Sequence, residues 1–419
     1  MSKEILSANA STNESLNLPE KYRNRTLINS KYVFEKKIGS GSFGTVYRGR
    51  NIISGDGVAI KFEATTANIP TLLWESKIMN HLAGTPGVVK LRYFGTESNK
   101  NIIVMDLFSH TLCEEIMKIK TDTSATMITS TYTPIKQQSA SHDSSKESAS
   151  SPTDADIGEE LDKKEQTIKY SSSDDSKGAA NTVMNTILES KYLIQPKNTS
   201  TSSSLSLSLS SPDLPVQLPS IPVHIIAVTK YLISMIEIIA RVHDAGIVHR
   251  DIKPDNFMLS VVGNTGESAS TVNSTTNSVE KKLNIIDFGL SRFYMKGDKH
   301  VDNTSDRSIV GTVRYISKHI HEGNVYSRRD DIISIMYVAI YLAKGCLPWM
   351  GVTIKKGDTL TKGDMVYDIK VKTASTDLCE GIPYLFKKLL DYSYSLNFED
   401  KPDYSYMTRQ CKNYLKMYI

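Results

Sequence analysis

The string HRDIKPDN, residues 249–256, constrains the fold of this 419-residue chain more than any other stretch. It follows a long apolar pattern with helical periodicity, IIAVTKYLISMIEIIARVH. Its Asp251 can accept the proton of a hydroxyl, its Lys253 can balance charge on a phosphoryl group in transfer, and its Asn256 can hold a metal ion. Taken singly, Asp251 and Asn256 could also be turn or helix-cap residues.

The tripeptide DFG, residues 287–289, follows the apolar stretch LNII about thirty residues further along the chain. Mg²⁺ prefers a few hard oxygen ligands together with phosphate oxygens. Asp287 therefore offers a carboxylate ligand that would complement the side chain of Asn256. Together the two residues predict a magnesium site, although Asp287 alone could be a turn residue.

A glycine-rich string, GSGSFGTV at residues 39–46, lies between two strand-like runs and fits the pattern G-x-G-x-x-G-x-V at every position. Glycines in a hairpin allow backbone N–H groups to approach phosphate oxygens without interference from a Cβ atom, and Val46 would cover a base. By itself the string is equally consistent with an ordinary turn. A dinucleotide-binding fold is not supported, because the strand-like run TVYRGR follows where that fold needs a helix.

The stretch VAIK, residues 58–61, predicts a strand with Lys61 facing a cleft. Such a lysine can clamp the α and β phosphates of a nucleotide, and it needs an acid to hold it. Glu75 lies on the inward face of an amphipathic helix predicted over residues 72–82. Either residue alone would be assigned to the solvated surface, but after the glycine-rich string an ion pair of Lys61 and Glu75 is the better hypothesis.

Composition divides the chain into segments. Residues 1–31 are polar and predict a disordered tail; residues 32–118 show strand patterns and one helix; residues 223–412 show long helical patterns before an end at 413–419. Residues 119–222 are about one third Ser or Thr, which buries too little apolar area to offset ordering entropy and predicts a disordered insertion. The foldable parts predict an α+β protein with a small β-rich lobe carrying one main helix and a larger, mostly α-helical lobe.

Charge and cysteine usage disfavour several classes of protein. Fifty Lys and Arg against forty-six Asp and Glu give a net charge of +4, too small an excess to argue for nucleic-acid binding. The four cysteines are far apart, so we expect free thiols in a reducing compartment rather than a disulfide framework. No apolar run approaches the roughly 18 residues of a membrane span, and we expect neither secretion nor membrane insertion. We expect a monomer in the cytoplasm, the nucleus or both.

The order and spacing of these strings resemble those of eukaryotic-type protein kinases over nearly the whole foldable part of the chain. Three further strings look like the casein kinase 1 family: GTVRYIS at 311–317, SRRDDI at 327–332 and LPWMG at 347–351. The string FEDKPDYSYM at 398–407 is similar to the closing helix of that family. Tau-tubulin and vaccinia-related kinases share the pattern of the first lobe, but SRRDD and KPDYSY fit casein kinase 1 better.

For the cofactors, the resemblance implies ATP and Mg²⁺, with Met105 as gatekeeper and the backbone of Asp106 and Phe108 meeting adenine at the hinge. The residues implied for ATP binding are Ile38, Gly39, Gly41, Ser42, Phe43, Gly44, Val46, Ala59, Lys61, Met105, Asp106 and Phe108. The catalytic set is Asp251, Lys253, Lys61, Glu75 and Thr312, and the metal ligands are Asn256 and Asp287.

For the substrate side, the resemblance implies that Thr312 helps to position Asp251 and that Asp331 binds the backbone of the catalytic loop. Arg307 and Arg314 match basic positions that form, in the family, an anion site for a phosphate already on the substrate. The two arginines could instead pair with local carboxylates such as Asp302, or Arg250 could take up that role. Two departures from the family pattern, SH at 109–110 and SKH at 317–319, affect the cleft rim and the peptide-docking surface.

The function implied is transfer of the γ-phosphoryl group of ATP to Ser or Thr hydroxyls of proteins that carry acidic or phosphorylated residues before the acceptor. A catalytically weak scaffold with a kinase fold would predict loss of Lys61, Asp251 or Asp287, and all three are present. A relative of the tau-tubulin or vaccinia-related kinases is a second possibility. An enzyme acting on small molecules is a third, which SRRDD and KPDYSY disfavour.

Overall fold

The computed structural model describes residues 27–41, 44–66, 70–130, 221–261, 281–305, 309–354 and 360–418, without the side chains of 124–130 and 261. The chain divides into one compact unit formed by Met1–Thr121 and Ser203–Ile419 and a second formed by Asp122–Ser202. Of the second unit, only the helical residues 122–130 are described. All other described elements belong to the first unit.

Five antiparallel strands form the sheet of the small lobe, in the order β1-β2-β3-β5-β4. They are β1 (Tyr32–Gly41), β2 (Gly44–Asn51), β3 (Gly57–Ala64), β4 (Leu91–Glu97) and β5 (Lys100–Asp106). Side chains alternate between the two faces of a strand. On β5, Ile103 and Met105 therefore join the main core, whereas Ile102 and Val104 join a separate small core on the other face. Both faces of this part of the sheet are covered.

Helix α1 (Leu72–His81) begins at a carboxylate supplied by β3. Oε1 of Glu63 accepts hydrogen bonds from the backbone N and the hydroxyl of Thr71 at 2.7 and 2.9 Å, and Oε2 accepts from the backbone N of Leu72 at 3.2 Å. A negative charge here satisfies N–H groups that lack helical partners and interacts favourably with the helix dipole. The contact ties the helix that carries Glu75 to the strand that carries Lys61.

The large lobe is built around two helices that pack on each other, α3 (Val223–Asp244) and α5 (Arg328–Lys344). Its helices are α2 (Leu112–Ser130), α3 (Val223–Asp244), α4 (Lys318–His321), α5 (Arg328–Lys344), α6 (Lys362–Lys372), α7 (Ser375–Leu378), α8 (Tyr384–Ser395) and α9 (Tyr404–Leu415). A capping box of Ser327 and Asp330 begins α5, and Gly345, with a φ of 87°, ends it. Residues 329–340 of α5 are all buried, so this helix forms the centre of the lobe.

Short strands bring the two functional strings together. They are β6 (His110–Thr111), β7 (Ile247–Val248), β8 (Phe257–Val261), β9 (Lys281–Ile285), β10 (Arg292–Phe293), β11 (Met295–Lys296) and β12 (Lys299–His300). HRDIKPDN connects β7 to β8, and DFG lies between β9 and β10. The strand before HRDIKPDN, β7, pairs with the strand after DFG, β10. The strand after HRDIKPDN, β8, pairs with the strand before DFG, β9, so the two strings are held side by side.

Helix α3 is long and apolar enough to cross a membrane by length and composition, with a mean hydropathy of 1.7 in its most apolar window. One such helix is a weak indication of a span, because a core helix has the same composition. Apolar side chains of α3 lie in the main core: Val228, Leu232, Met235, Ile236, Ile239 and Val242. The helix therefore has a structural role within the lobe.

Three boundaries in the structure differ from those predicted by composition. Leu27 and Ile28, expected in a disordered tail, are buried in two small cores beside the first sheet. Helix α2 continues to Ser130, so residues 119–130 are helical rather than part of a disordered insertion. Helix α9 continues past 412 to Leu415. Leu27 and Ile28 are too few to show a helix or strand period in the sequence. The Thr and Ser residues of α2 weaken the helical pattern of that segment. Residues 131–220 and most of the predicted tail lie outside the described residues.

We expect Glu63→Ala to destabilise the small lobe by about 1–3 kcal/mol, because it leaves buried donors at the start of α1 without an acceptor. Denaturant unfolding measures the loss. Glu35→Ala is the control, since the Glu35 pair with Arg50 lies near the surface at 3.2 Å. That variant should change stability by less than about 1 kcal/mol. Equal losses in the two variants would contradict the capping role.

Candidate active site

Lys61 on β3 and Glu75 on α1 form a buried ion pair, with Nζ and Oε2 2.8 Å apart. Nζ also lies 3.1 Å from Oδ1 of Asp287. The side chains of Lys61 and Glu75 are 7% and 1% exposed, so water screens their attraction weakly. Burial alone would lower the pKa of the Lys61 amine, but the two carboxylates outweigh burial and raise that pKa above its ordinary value. The amine is charged at neutral pH and holds two elements together.

Asp287 begins the DFG string in the left-handed backbone region, with a φ of 65°. Aspartate enters this region more readily than most residues. Burial disfavours the charged carboxylate, but Lys61 outweighs burial and lowers the pKa of Asp287 below its ordinary value. The next residue, Phe288, is fully buried and its ring centroid lies 5.0 Å from that of His249. DFG is therefore tied both to β3 and to the catalytic loop.

Hydrogen bonds to both oxygens hold the carboxylate of Asp251. Oδ1 accepts from the backbone N and the hydroxyl of Thr312 at 3.0 and 2.7 Å, and Oδ2 accepts from Nζ of Lys253 at 2.6 Å. Asn256 donates from Nδ2 to the backbone oxygen of Asp251 at 2.9 Å. Charge-assisted bonds of this kind keep a carboxylate in one orientation, which a proton acceptor requires.

Asp287 and Asn256 offer the oxygen ligands that a divalent ion needs. Within the described residues, Oδ1 of Asn256 accepts no hydrogen bond while its Nδ2 is bonded to Asp251. In that same part of the chain, Oδ2 of Asp287 has no hydrogen-bond partner while Oδ1 is bonded to Lys61. A carboxylate and an amide oxygen suit Mg²⁺, which takes further ligands from phosphates and water. The donor set therefore fits the predicted ion, and the described ranges hold no cluster of three or more His, Cys, Asp or Glu side chains that could bind a metal alone.

A buried aspartate at the start of α5 fixes the backbone of the catalytic loop. Oδ2 of Asp331 accepts from the backbone N of His249 at 2.7 Å, and Oδ1 accepts from that of Arg250 at 3.0 Å. Arg250 has a φ of 72°, so the loop turns sharply at this point. Burial disfavours the charged form of Asp331, but the hydrogen bond from His243 and the other favourable contacts of the carboxylate together outweigh burial and lower the pKa of Asp331. The contact is the one that the family resemblance implies.

His243 connects Asp331 to the C-terminal helix, a contact that the sequence analysis missed. Its Nε2 lies 3.0 Å from Oδ2 of Asp331, and its Nδ1 lies 2.7 Å from the hydroxyl oxygen of Tyr404 on α9. A carboxylate only accepts, so in the neutral ring Nε2 carries the proton and Nδ1 accepts from the Tyr404 hydroxyl. Burial lowers the pKa of His243, which favours this neutral ring. In the sequence, the first tyrosine of KPDYSY was the only indication of this contact.

The described part of the glycine-rich string lies on the paired ends of β1 and β2, with Gly39 paired to Val46 and Gly41 to Gly44. Gly44 has a φ of 119°, and a Cβ atom there would lie 2.1 Å from the backbone oxygen of Phe62. A side chain at this position is therefore excluded. Ser42 and Phe43 lie outside the described residues, and Ile38 on β1 is 46% exposed.

The residues predicted around adenine are neighbours in the fold. Val46, Ala59, Met105 and Phe108 contribute to the main hydrophobic core. Ala59 on β3 pairs directly with Met105 on β5, so the predicted gatekeeper lies on the strand beside Lys61. The side chain of Asp106 accepts a hydrogen bond of 2.7 Å from Arg92.

Both departures from the family pattern are accommodated by local hydrogen bonds. Ser109 donates from Oγ to a backbone oxygen of β8 at 2.7 Å, and His110 lies 2.7 Å from a carboxylate oxygen of Glu115. Ser317 donates from Oγ to Asp330 at 2.5 Å and caps α4. These bonds order the cleft rim and the end of the activation segment, the stretch that runs from DFG to Ser317, without using a residue of the predicted catalytic set.

The predicted anion site is only partly within the described residues. Arg307 lies outside them. Arg314 is exposed, and its guanidinium carbon lies 5.8 Å from the centre of the Tyr315 ring. A cavity of about 570 Å³ lies along the activation segment, and its charged lining residues are Arg250, Arg292, Lys296, Lys299, His300 and Asp302, of which His300 is charged only when protonated. The sequence analysis missed Arg292, Lys296 and Lys299, because basic residues in a polar hairpin resemble a solvated surface.

A sheet lobe with a paired lysine and glutamate, joined to a helical lobe that carries Asp251 and Asp287, defines a phosphotransferase. The family model of the protein kinase domain matches residues 32–142 and 129–405. Because the matches cover most of the chain, the chain belongs to the protein kinase family. Membership confirms the predicted α+β fold with its two lobes. It implies the use of ATP with a divalent metal ion, and protein substrates.

We expect Tyr404→Phe to lower the free energy of unfolding by about 1 kcal/mol, since one buried hydrogen bond is lost. The pKa of His243 should rise, because its neutral form loses the donor to Nδ1. Histidine NMR titration measures the change. Tyr406→Phe on the same helix, whose ring packs 5.1 Å from that of Tyr392, is the matched control and should leave the pKa of His243 unaltered. The same pKa in wild type and Tyr404→Phe would contradict the assigned tautomer.

Proposed function

We propose that this protein kinase transfers the γ-phosphoryl group of ATP to serine and threonine hydroxyls of proteins, as casein kinase 1 enzymes do. The observation that carries the proposal is the assembly of both charge networks of the site. Lys61 is paired with Glu75 and Asp287. Asp251 is bonded to Thr312 and Lys253. Each network buries charge at a desolvation cost, which a scaffold without turnover would not need.

Each residue of the site has a role in phosphoryl transfer that follows from its position. Asp251 would orient the acceptor hydroxyl and take up its proton, and Lys253 would neutralise charge on the group in transfer. Lys61 would bind the α and β phosphates. In-line transfer asks for little covalent chemistry from the protein, so the rate depends on orientation and on charges placed in advance.

Asp287 and Asn256 would hold the divalent ion, for which we propose Mg²⁺. Held by these two residues, Mg²⁺ would supply positive charge that offsets the negative charge of the phosphates. The fit of the donor set supports this assignment. Lys61 already contacts Oδ1 of Asp287, so the aspartate can orient the lysine and a metal ion at the same time.

For the substrates, we propose proteins with acidic or phosphorylated residues before the acceptor. Arg314 is exposed close to Thr312, where an incoming peptide must pass. The cavity along the activation segment adds Arg250 and Arg292, whose guanidinium groups can bind a phosphate bidentately. Positive charge on this side supports an anionic substrate, and the strings shared with casein kinase 1 support the same class.

Asp251→Asn and Asp287→Asn should each reduce turnover by several orders of magnitude while the melting temperature changes little, because the replacement is nearly the same size. Steady-state rates with casein as substrate and thermal unfolding measure both effects. Asp368→Asn is the control, since this carboxylate is 57% exposed and pairs with Lys372 on its own helix. More than about a tenth of the wild-type turnover in either variant would show that its assigned role is wrong.

A peptide with phosphoserine three residues before the acceptor should be a better substrate than the same peptide without phosphate. Arg314→Ala should remove most of that preference and change the rate on the unphosphorylated peptide much less. The preference should weaken as salt rises, because exposed charges are screened beyond about 8 Å at physiological ionic strength. Paired kcat/KM measurements test all three points.

Arg409→Ala, an exposed arginine on α9, is the control for loss of charge and should keep the preference for the phosphorylated peptide. Equal rates on the two peptides at low salt would refute the proposed substrate class. An equal loss on both peptides in Arg314→Ala would assign Arg314 to holding the activation segment instead.

A further inference from the structure

Thr312 reaches Asp251 from a short segment, residues 310–316, whose backbone oxygens are held from several sides. The oxygen of Val310 accepts from the hydroxyl of Tyr326 at 2.7 Å. The oxygen of Thr312 accepts from the backbone N of Tyr315 and of Ile316. The segment forms none of the paired strands, so its other buried backbone oxygens need donors from side chains.

Two side chains from the large lobe supply those donors. Nζ of Lys370 on α6 lies 2.8 Å from the oxygen of Val313 and 2.7 Å from that of Ile316. Nε1 of Trp349 donates to the oxygen of Arg314 at 2.8 Å. These two side chains thus bind the backbone oxygens of Val313, Arg314 and Ile316.

The position of Lys370 is unusual for a lysine, because the residue is 4% exposed. Its Nζ lies 5.2 Å from the centre of the Trp349 ring and 5.3 Å from that of Tyr337. Its remaining polar neighbour is Nε2 of His321 at 3.3 Å. Nζ donates to the two backbone oxygens, and none of its three polar neighbours among the described residues is a carboxylate.

A buried cation without a carboxylate partner is costly, and burial lowers the pKa of Lys370 well below its ordinary value. An apolar side chain of the same length would fill the space without that cost. What an apolar side chain could not do is bind two backbone oxygens of the segment at once. The lysine therefore serves to hold the segment rather than to fill the core.

The geometry points to Lys370 as a positioning residue for phosphoryl transfer, which fixes the turn from which Thr312 binds Asp251. The proposal rests on the proposed role of Asp251 as acceptor of the substrate proton. The turn has little room to adjust, because a Cβ atom on Gly311 would lie 2.4 Å from the backbone oxygen of Arg250. A small displacement of the segment would lengthen both bonds from Thr312, and misplacement by about 1 Å can reduce a rate by about 100-fold.

Lys370→Met keeps the length of the side chain and removes its donors. We expect kcat on a peptide substrate to fall by about 10- to 100-fold, with the KM for ATP within about 2-fold of wild type. Lys370→Gln retains one donor group and should lose less. Lys372→Met is the matched control, because this lysine lies on the same helix with a side chain that is 73% exposed, and it should keep the wild-type kcat. An unchanged kcat in Lys370→Met would overturn the proposal.

A double-mutant cycle separates positioning from general support of the fold. Thr312→Val removes the hydroxyl bond to Asp251 and keeps the backbone bond. If Lys370 acts through Thr312, the variant with both Lys370→Met and Thr312→Val should lose much less activity than the product of the two single losses. Multiplied losses would overturn the proposal. If Lys370→Met does not fold, Lys370→Gln carries the cycle, and failure of both variants to fold would overturn the proposal by showing a purely structural role.

The same measurements distinguish failure of this proposal from failure of the proposed function. Activity retained in Asp251→Asn would refute the role of Asp251 itself. If Asp251→Asn is inactive but the losses of Lys370→Met and Thr312→Val multiply in the double variant, only the role of Lys370 is refuted.

Discussion

One buried carboxylate, that of Asp331, holds the loop on which the rest of the active site depends. Both of its oxygens are bound, to the backbone of His249 and Arg250 and to the ring of His243. Removing this carboxylate would leave backbone N–H groups and the ring N–H of His243 without an acceptor, at a cost of about 1–3 kcal/mol for each buried donor. Since α5 is buried along most of its length, Asp331 transfers the rigidity of the core directly to the residues that precede Asp251.

Lys61 plays the corresponding part in the small lobe. Its amine can contact Glu75 and Asp287 together only when α1 lies close to β3 and DFG keeps its left-handed turn. Glu63 ties α1 to β3 from the other end, at the first turn of the helix. Two carboxylates of the small lobe thus have different roles. Glu63 fixes the position at which α1 begins, and Glu75, which lies on that helix, holds Lys61.

The peptide side of the site is organised differently, by hydrogen bonds to backbone oxygens rather than by ion pairs. Thr312 binds Asp251 from a segment anchored by Lys370 and Trp349. Arg314 belongs to the same segment, yet its guanidinium is exposed while its backbone oxygen is bound by Trp349. The backbone of this segment is therefore fixed, while its basic side chain stays in solvent two residues beyond Thr312.

The sequence by itself determined the two-lobed fold and the central residues, because HRDIKPDN, DFG and VAIK are local strings and Glu75 follows from the period of its helix. Only the tertiary structure decided which residues support them. Tyr404 bonds to a histidine 161 positions away, and Lys370 bonds to an oxygen 57 positions away. In the sequence, Lys370 is one of two lysines in the last turn of a polar helix and cannot be told from its exposed neighbour Lys372. Burial separates the two, and burial depends on which elements pack together rather than on the identity of the residue.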